Sequence, residues 1–302
     1  MDSVDVIWWG GARGMWDQGL LIHAVEGKLG PAPCRFVEHY KWHEPSAVPE
    51  SGGGILVVPG ATEDVAAVKA FVDSMKWCLL VITSDEMNQF PMSEFKGSNR
   101  IIWRQHPVPQ KGGFEADRVF PTGWRPDTLK EITKLPPVRR DLLWSYCGQV
   151  NNLNRVACSV VLSKMRDTGM LHASNGFGQG LPYREYLQTL RMSKLAPSPA
   201  GTHNTDCFRI FEALECGALP VVAVRPDTHP TGFNYWQKMA GSPVPFPLIE
   251  DWSEFPALAK WYAENDVQLR RDLDRAVTWW QEYKTRFVQD LAGDAILLAE
   301  KC

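Results

Sequence analysis

Residues 183–224 read YREYLQTLRMSKLAPSPAGTHNTDCFRIFEALECGALPVVAV, and the fold is decided there. Tyr186, Leu187 and Leu190 share one helical face. The chain then passes through Lys194 to Gly201 into a polar turn, Thr202-His203-Asn204-Thr205-Asp206, where a second helix begins. Asp206 or Thr205 is placed to N-cap that helix, which would turn its backbone N–H groups and partial positive charge toward Ala200-Gly201. Arg209 and Glu212 stand three apart on one face, a guanidinium suited to a diphosphate and a carboxylate suited to a ribose diol. Glu215 continues that face. Taken alone, the same spacing is an ordinary surface pair. The helix ends at Leu214-Glu215-Cys216-Gly217, with Gly217 at C′, and leads into Leu219-Pro220-Val221-Val222, the apolar run of a buried parallel strand. Loop, helix and strand together make half of a nucleotide-binding fold.

Upstream the alternation recurs. Val4 to Trp9 is β-rich and ends in Gly10-Gly11-Ala12-Arg13-Gly14, with helical spacing from Met15 to Lys28. Further β-rich runs lie at Cys34 to Tyr40, Ile55 to Val58, Leu79 to Thr83 and Arg100 to Arg104, and Glu63 to Trp77 has helical periodicity. Strands alternating with helices predict parallel βαβ units. Pro126, Pro136, Pro137 and several charges between Gly123 and Arg140 have linker composition. They place the domain boundary so that residues 1–140 form an N-terminal lobe and residues 141–302 a C-terminal lobe. In the second lobe a strand from Leu142 to Cys147 ends at Gly148, and helices are expected over Asn154 to Thr168 and Asp206 to Cys216. The tail from Ala257 to Glu300 reads as helical, broken at Asn265-Asp266 and at Gly293. The expected fold class is α/β, with two Rossmann-like lobes, a cleft between them and a C-terminal helical region.

The pattern Tyr183-x-x-Tyr186-Leu187, Ser193-Lys194, Pro197-x-Pro199-x-Gly201 and Phe208-Arg209-x-x-Glu212-Ala213-Leu214-x-x-Gly217-Ala218-Leu219-Pro220-Val221 resembles the donor half of exostosin-like glycosyltransferases with the GT-B fold. That resemblance implies that Arg209 contacts the diphosphate and Glu212 the ribose of a nucleotide sugar, UDP-linked by preference. Gly148, Lys194, Ser198, Gly201 and Thr205 would surround the donor. Gly148 reads equally as a turn glycine, and Asn151 to Arg155 as either a phosphate contact or a helix cap. The short chain implies a soluble bacterial or viral type. No cofactor is expected beyond the nucleotide sugar as co-substrate.

Inverting sugar transfer to a hydroxyl needs a base at the acceptor oxygen. Asp85 and Glu86 follow a strand and so stand at a carboxyl edge; Asp17 and His23 are the alternatives. Each also reads as a cap or surface residue. Gly10, Gly11 and Arg13 form an acceptor-side loop. It is not GxGxxG, and Glu38 is only a loose match to a ribose-binding acid, so a dinucleotide oxidoreductase lacks its fingerprint. For metals, Asp272-Leu273-Asp274 lies in a helical pattern where residues two apart diverge, and His39, His43 and Glu44 follow a strand. Transfer of a hexose or pentose without a metal is therefore expected, with the diphosphate neutralised by Arg209 and the helix dipole.

Composition bounds the rest. With 302 residues, 44% hydrophobic and 22% charged, the chain has ordinary globular usage, which excludes disorder and collagen-like repeats. Seven cysteines without a CxxC pair point to a reducing compartment and away from a structural zinc cluster. No signal peptide starts the chain and no apolar run approaches the roughly 18 residues of a span, so a cytoplasmic protein without a membrane span is expected. Net charge is −3, but residues 96–140 hold 10 Lys/Arg against 4 Asp/Glu. Arg100, Arg104 and Arg118 in that segment suggest an anionic acceptor, either an acidic glycan or DNA with hydroxymethylated bases. The alternatives are a polysaccharide or lipid-linked sugar as acceptor, and, in another class, a non-catalytic nucleotide- or carbohydrate-binding protein.

Overall fold

The computed structural model describes residues 1–41, 48–62, 64–87, 89–106, 116–176, 178–201, 204–223, 235–241 and 243–302. His43, Glu44, Thr202 and His203, singled out in the sequence, lie outside the described residues. The chain divides into two compact units.

The first unit comprises Met1–Pro126, Lys238–Gly241 and Gln281–Cys302. In chain order it contains β1 (Ser3–Trp9), α1 (Gly19–Val25), β2 (Arg35–Lys41), β3 (Gly53–Pro59), α2 (Val65–Ser74), β4 (Trp77–Thr83), β5 (Arg100–Gln105) and β6 (Arg118–Phe120). The strands form one parallel sheet in the order β2-β1-β3-β4-β5-β6. Every residue of β3 and β4 is buried, which is why both read as unbroken apolar runs: a parallel sheet covered on both faces leaves no wet side to alternate toward. Ile7, Leu56, Val58, Leu80, Ile82 and Ile102 pack with Val68, Phe71 and Val72 of α2. Asp64 caps α2 by accepting from Ala67 N at 2.9 Å, so the helix expected from residue 63 to 77 is shorter and Trp77 already belongs to β4.

The second unit comprises Asp127–Gln237 and Ser242–Trp280. Its elements are α3 (Thr128–Thr133), β7 (Leu142–Gln149), α4 (Leu153–Ser163), β8 (Gly169–Ser174), α5 (Tyr183–Met192), β9 (Ser193–Pro197), α6 (Phe208–Cys216) and β10 (Leu219–Ala223). They continue with α7 (Tyr235–Ala240), β11 (Leu248–Ile249), α8 (Phe255–Glu264) and α9 (Asp266–Lys301); the ends of α7 and α9 belong to the first unit. The sheet is again parallel, in the order β11-β10-β9-β7-β8. The expected α/β architecture of two parallel sheets with a helical C-terminal region is thus present.

Several boundaries differ from the sequence reading. Residues 127–140 are part of the second unit, because Ile132 and Leu135 pack with Leu187, Leu190, Ala196 and Ala213, and because Arg184 and Arg191 donate to the carbonyls of Lys134 and Leu135. The N-terminal segment of the first unit therefore ends at Pro126 instead of residue 140. The C-terminal residues return to it: Phe287 packs against Trp103 and Phe120 at ring distances of 5.5 and 5.6 Å. Helix α9 runs through Gly293 without a break, since burial of Leu291, Ala292, Ala295 and Leu298 outweighs the roughly 1 kcal/mol a helical glycine costs. Asp272 lies within it, bonded to Tyr262 and Gln268, as its helical spacing implied.

Candidate functional site

Each sheet changes direction once. A parallel sheet opens a crevice at the carboxyl ends of its strands where the order reverses, and in the second unit that point falls between β7 and β9. Gly148 lies on the β7 side; Ser198, Ala200 and Gly201 follow β9. The loop after β9 is tethered: Ala200 N donates to Asn154 Oδ1 at 3.1 Å, while Arg155 Nε and Asn152 Nδ2 donate to the Ala200 carbonyl at 3.1 and 3.5 Å. Asn152 caps α4 through Arg155 N at 2.9 Å. The Asn151 to Arg155 segment thus holds this loop in place. Ser198 is buried, with its hydroxyl on the Ala196 carbonyl.

Helix α6 begins at Phe208 with Cys207 as its N-cap and no side-chain cap. Neither Asp206 nor Thr205 caps it, contrary to the sequence expectation; both are buried in the turn ahead of it. Arg209 lies in the first turn, 8% exposed. Its Nη2 donates to the Cys147 carbonyl at 2.8 Å, and its guanidinium carbon sits 4.3 Å from the Tyr146 ring centroid. Among the described residues, Nε and Nη1 are buried without a hydrogen-bond partner. A buried guanidinium with two unused nitrogens is a costly arrangement that an anion would relieve. It stands against Gly148 at the switch point and at the positive end of a helix.

Glu212 is also buried, and both its oxygens accept hydroxyl bonds, from Tyr183 at 2.8 Å and Tyr186 at 2.7 Å. Tyr183 in turn bonds Thr128. This explains the paired tyrosines of the motif: they hold a carboxylate one turn deeper than Arg209. A carboxylate has further accepting capacity, so the tyrosines do not exhaust it. Burial, then Glu212 itself, pushes the Tyr186 hydroxyl well above its ordinary range. Lys194 is turned to Asp266, 3.1 Å away, and Glu215 accepts from Trp280 Nε1 at 2.8 Å, so the structure does not bring either to Arg209. Gly217 has φ 70°, and its N–H and that of Ala218 bond Leu214 and Ala213 in the expected C-terminal motif.

In the first unit the switch point lies between β1 and β3, beside Gly10 and Gly11, whose φ values are 55° and 77°. Arg13 follows them, but its guanidinium is held by Glu38 at 2.7 Å and Glu26 at 2.6 Å. Asp85, the leading base candidate, is 2% exposed and has a structural task. It pairs with Arg104 at 2.9 Å and accepts from the N–H groups of Gln89 and Phe90. Glu86 is exposed. His23 is buried with Nδ1 accepting from Trp124 Nε1 at 3.2 Å. Burial, then Lys28, lowers its pKa to about 4.

Asp17 is placed differently. Its Oδ1 accepts from Ser84 Oγ at 2.6 Å, its Oδ2 lies 3.4 Å from His106 Nε2, and its carbonyl accepts from Gln105 Nε2 at 2.8 Å. Burial pushes the carboxyl up, yet the bonds from His106 and Ser84 win and its pKa is lowered. Ser84 directly follows β4 and His106 directly follows β5, and both have φ 54°, among the described residues the two non-glycine positions with positive φ. Sequence reasoning missed His106, because nothing in the local pattern Arg104-Gln105-His106 marks a strand end whose side chain meets a residue 89 positions earlier.

The arginines expected on an acceptor surface are paired. Arg100 bonds Asp73 at 2.6 Å, Arg104 is the buried partner of Asp85, and Arg118 bonds Asp294 at 2.7 and 3.0 Å. Their charge is answered by acids distant in sequence. His39 pairs with Asp5 at 2.7 Å. Among the described residues no group of three or more His, Cys, Asp or Glu side chains is gathered as a metal site, and no helix is long and apolar enough to cross a membrane.

Residues 178–294 match the family described as the RXYLT1 C-terminal domain, which embraces Arg209, Glu212 and the paired tyrosines. The chain is similar to ribitol-5-phosphate xylosyltransferase 1 of Homo sapiens, 30% identical over 111 residues that make up 34% of this chain and 24% of the relative. It is also similar to the Mus musculus protein, 31% identical over 111 residues, and the Danio rerio protein, 29% identical over 116. The matched stretch spans about a quarter of these relatives. The family matched is thus not the exostosin-like one suggested by the motif, and these relatives are vertebrate proteins. Among solved structures, an alpha-glucosyltransferase (AGT) in complex with UDP aligns over 94% of this chain and 96% of its own, at 8% identity and a TM-score of 0.47.

Proposed function

We propose that this protein transfers a sugar from a UDP-sugar to a hydroxyl acceptor without a metal, and that the second unit binds the donor. The observation that carries the reading is Arg209: a buried guanidinium with two nitrogens unpartnered among the described residues, in the first turn of α6 and against Gly148. A diphosphate is the anion that such a site accommodates, since it accepts charge-assisted bonds and also meets the helix N-terminus. Fixed cationic groups of this kind stabilise a departing diphosphate as a metal would.

The similarity to a ribitol-5-phosphate xylosyltransferase supports a pentose as the sugar and a polyol phosphate or glycan as the acceptor. The pairing of Arg100, Arg104 and Arg118 leaves little support for a DNA acceptor. Calorimetry with UDP, against GDP and ADP, tests the donor site. A panel of UDP-xylose and UDP-glucose with sugar, polyol phosphate and DNA acceptors tests the reaction. UDP binding without label on any acceptor would leave a nucleotide-binding protein, and absence of UDP binding would end the reading.

A further inference from the structure

We propose that Tyr146 is a positioning residue of the donor site: its ring is the floor on which the Arg209 guanidinium lies, so that the cation is in place before a diphosphate arrives. This rests on the donor reading above, and every residue of the seat belongs to the second unit.

The seat is built from consecutive residues at the carboxyl end of β7, Tyr146-Cys147-Gly148-Gln149. Alternation along a strand assigns Tyr146 and Gly148 to one face of the sheet, and Arg209 meets both. Its guanidinium carbon is 4.3 Å from the Tyr146 ring centroid, well within the reach of a cation–π contact. Gly148 keeps the space beside it open, since a Cβ there would fall 2.2 Å from Nη2. The Cys147 carbonyl accepts from that same Nη2 at 2.8 Å. Ring, carbonyl and missing side chain together confine the guanidinium.

The ring is itself fixed. Tyr146 is fully buried, and its hydroxyl donates to the Gln149 carbonyl at 2.5 Å, a bond that closes back over Cys147 and Gly148. Burial pushes that hydroxyl above its usual range, although Arg209 and then Arg155 pull the other way. The ring therefore presents a neutral π face at neutral pH and not a phenolate.

That distinction decides what the seat does. A carboxylate in this place would neutralise the guanidinium, as Glu38 does for Arg13. A ring and a carbonyl hold the side chain and leave its charge for an anion, and among the described residues Nε and Nη1 still lack a hydrogen-bond partner. A long side chain already held in its binding geometry loses less freedom when the ligand arrives, and the saving appears as affinity. Tyr146 thus acts on the donor through Arg209.

Calorimetry with UDP on the full chain tests this through wild type, Tyr146→Met, Arg209→Ala and the double variant. Methionine fills the space with a flexible apolar chain and offers no π face. Tyr146→Met should weaken UDP binding roughly 10- to 30-fold, the weight of a desolvated cation–π contact, but by less than about twofold once Arg209 is alanine. A side chain that only supported the fold would cost the same in both backgrounds. Tyr146→Phe, which keeps the ring and loses the tie to Gln149, should recover most of the affinity. Equal losses with and without Arg209, or Tyr146→Phe binding as weakly as Tyr146→Met, overturns the proposal. Should Tyr146→Met fail to fold, pentafluorophenylalanine at position 146 is compared with Tyr146→Phe. Fluorination keeps the shape of the ring and removes the negative charge of its face, so UDP should bind about 10-fold more weakly, and equal affinity overturns the proposal. A wild-type chain that binds no UDP overturns the donor reading and this one with it, whereas UDP binding that Tyr146→Met leaves intact overturns the role of Tyr146 alone.

Discussion

Gly148 and Arg209 are matched: a Cβ built on Gly148 would stand 2.2 Å from Arg209 Nη2. The guanidinium occupies the space a side chain would fill, and from there Nη2 reaches the Cys147 carbonyl at 2.8 Å. The glycine is thus explained by close approach, the helix start supplies the arginine, and both stand at the one reversal of the strand order.

Arg209→Ala should weaken UDP binding by about 1.5–3 kcal/mol, the worth of a hydrogen bond to a charged group, which is roughly 10- to 150-fold in Kd. Gly148→Ala should act in the same direction by displacing Nη2, and the double variant should lose less than the sum because the two residues share one contact. Calorimetry on the four proteins reads this cycle. Additive losses would show that Gly148 serves only its turn.

Asp85→Asn should destabilise the protein, because it leaves the Arg104 guanidinium, 2% exposed, without its counter-charge. Breaking such a buried pair costs about 3–5 kcal/mol, which a denaturant midpoint registers. If Asp85→Asn instead unfolds like the wild type and loses turnover alone, the carboxylate is a catalytic one after all.

The second unit was more legible than the first. Arg209, Glu212, Gly217 and β10 fall within one contiguous stretch, where spacing on a helix reports shared faces directly. Strand β9 was not read, because Ser193 both ends α5 and opens the strand with no turn between. Strand β8 is a half-exposed edge strand with little apolar signal. In the first unit, the surroundings of Asp85 and Asp17 are set by Arg104 on β5 and by Ser84 and His106 just past β4 and β5, and such tertiary contacts leave no periodicity. The positive charge of residues 96–140 misled for the same reason: Asp73, Asp85 and Asp294 that answer it come from elsewhere in the chain.

Stability should depend on His23. Burial holds its pKa near 4 in the folded protein, against about 6.5 for an unfolded histidine. Between those values the unfolded chain binds a proton that the folded one refuses, so stability is full above about pH 6.5 and falls as pH drops toward 4, by up to about 1.4 kcal/mol per pH unit. The bond from Trp124 Nε1 to Nδ1 requires the same neutral ring. Denaturant midpoints for the wild type and His23→Gln at pH 7, 6, 5 and 4.5 should diverge in slope, with the variant flatter. Parallel curves would place the acid sensitivity on other groups.

Duplex DNA should bind weakly, with little dependence on salt. Each phosphate neutralised by a protein cation contributes about −0.9 to the slope of log affinity against log salt, so a patch of three arginines would give a steep line. Here Arg100 is committed to Asp73 and Arg104 to Asp85. Arg118 bonds Asp294 through two nitrogens, and those bonds, against the opposing effect of burial, raise its pKa. Lys134 and Arg139 also have acidic partners, Glu131 and Asp141. Paired cations release few counterions, since their own carboxylates must be displaced before a phosphate can be held. Binding of a labelled duplex between low and physiological salt should therefore give a slope near zero, and Arg118→Glu should leave it unchanged. A slope of about −3 that Arg118→Glu reduces by about one would restore the nucleic-acid surface and return DNA to the list of acceptors worth assaying.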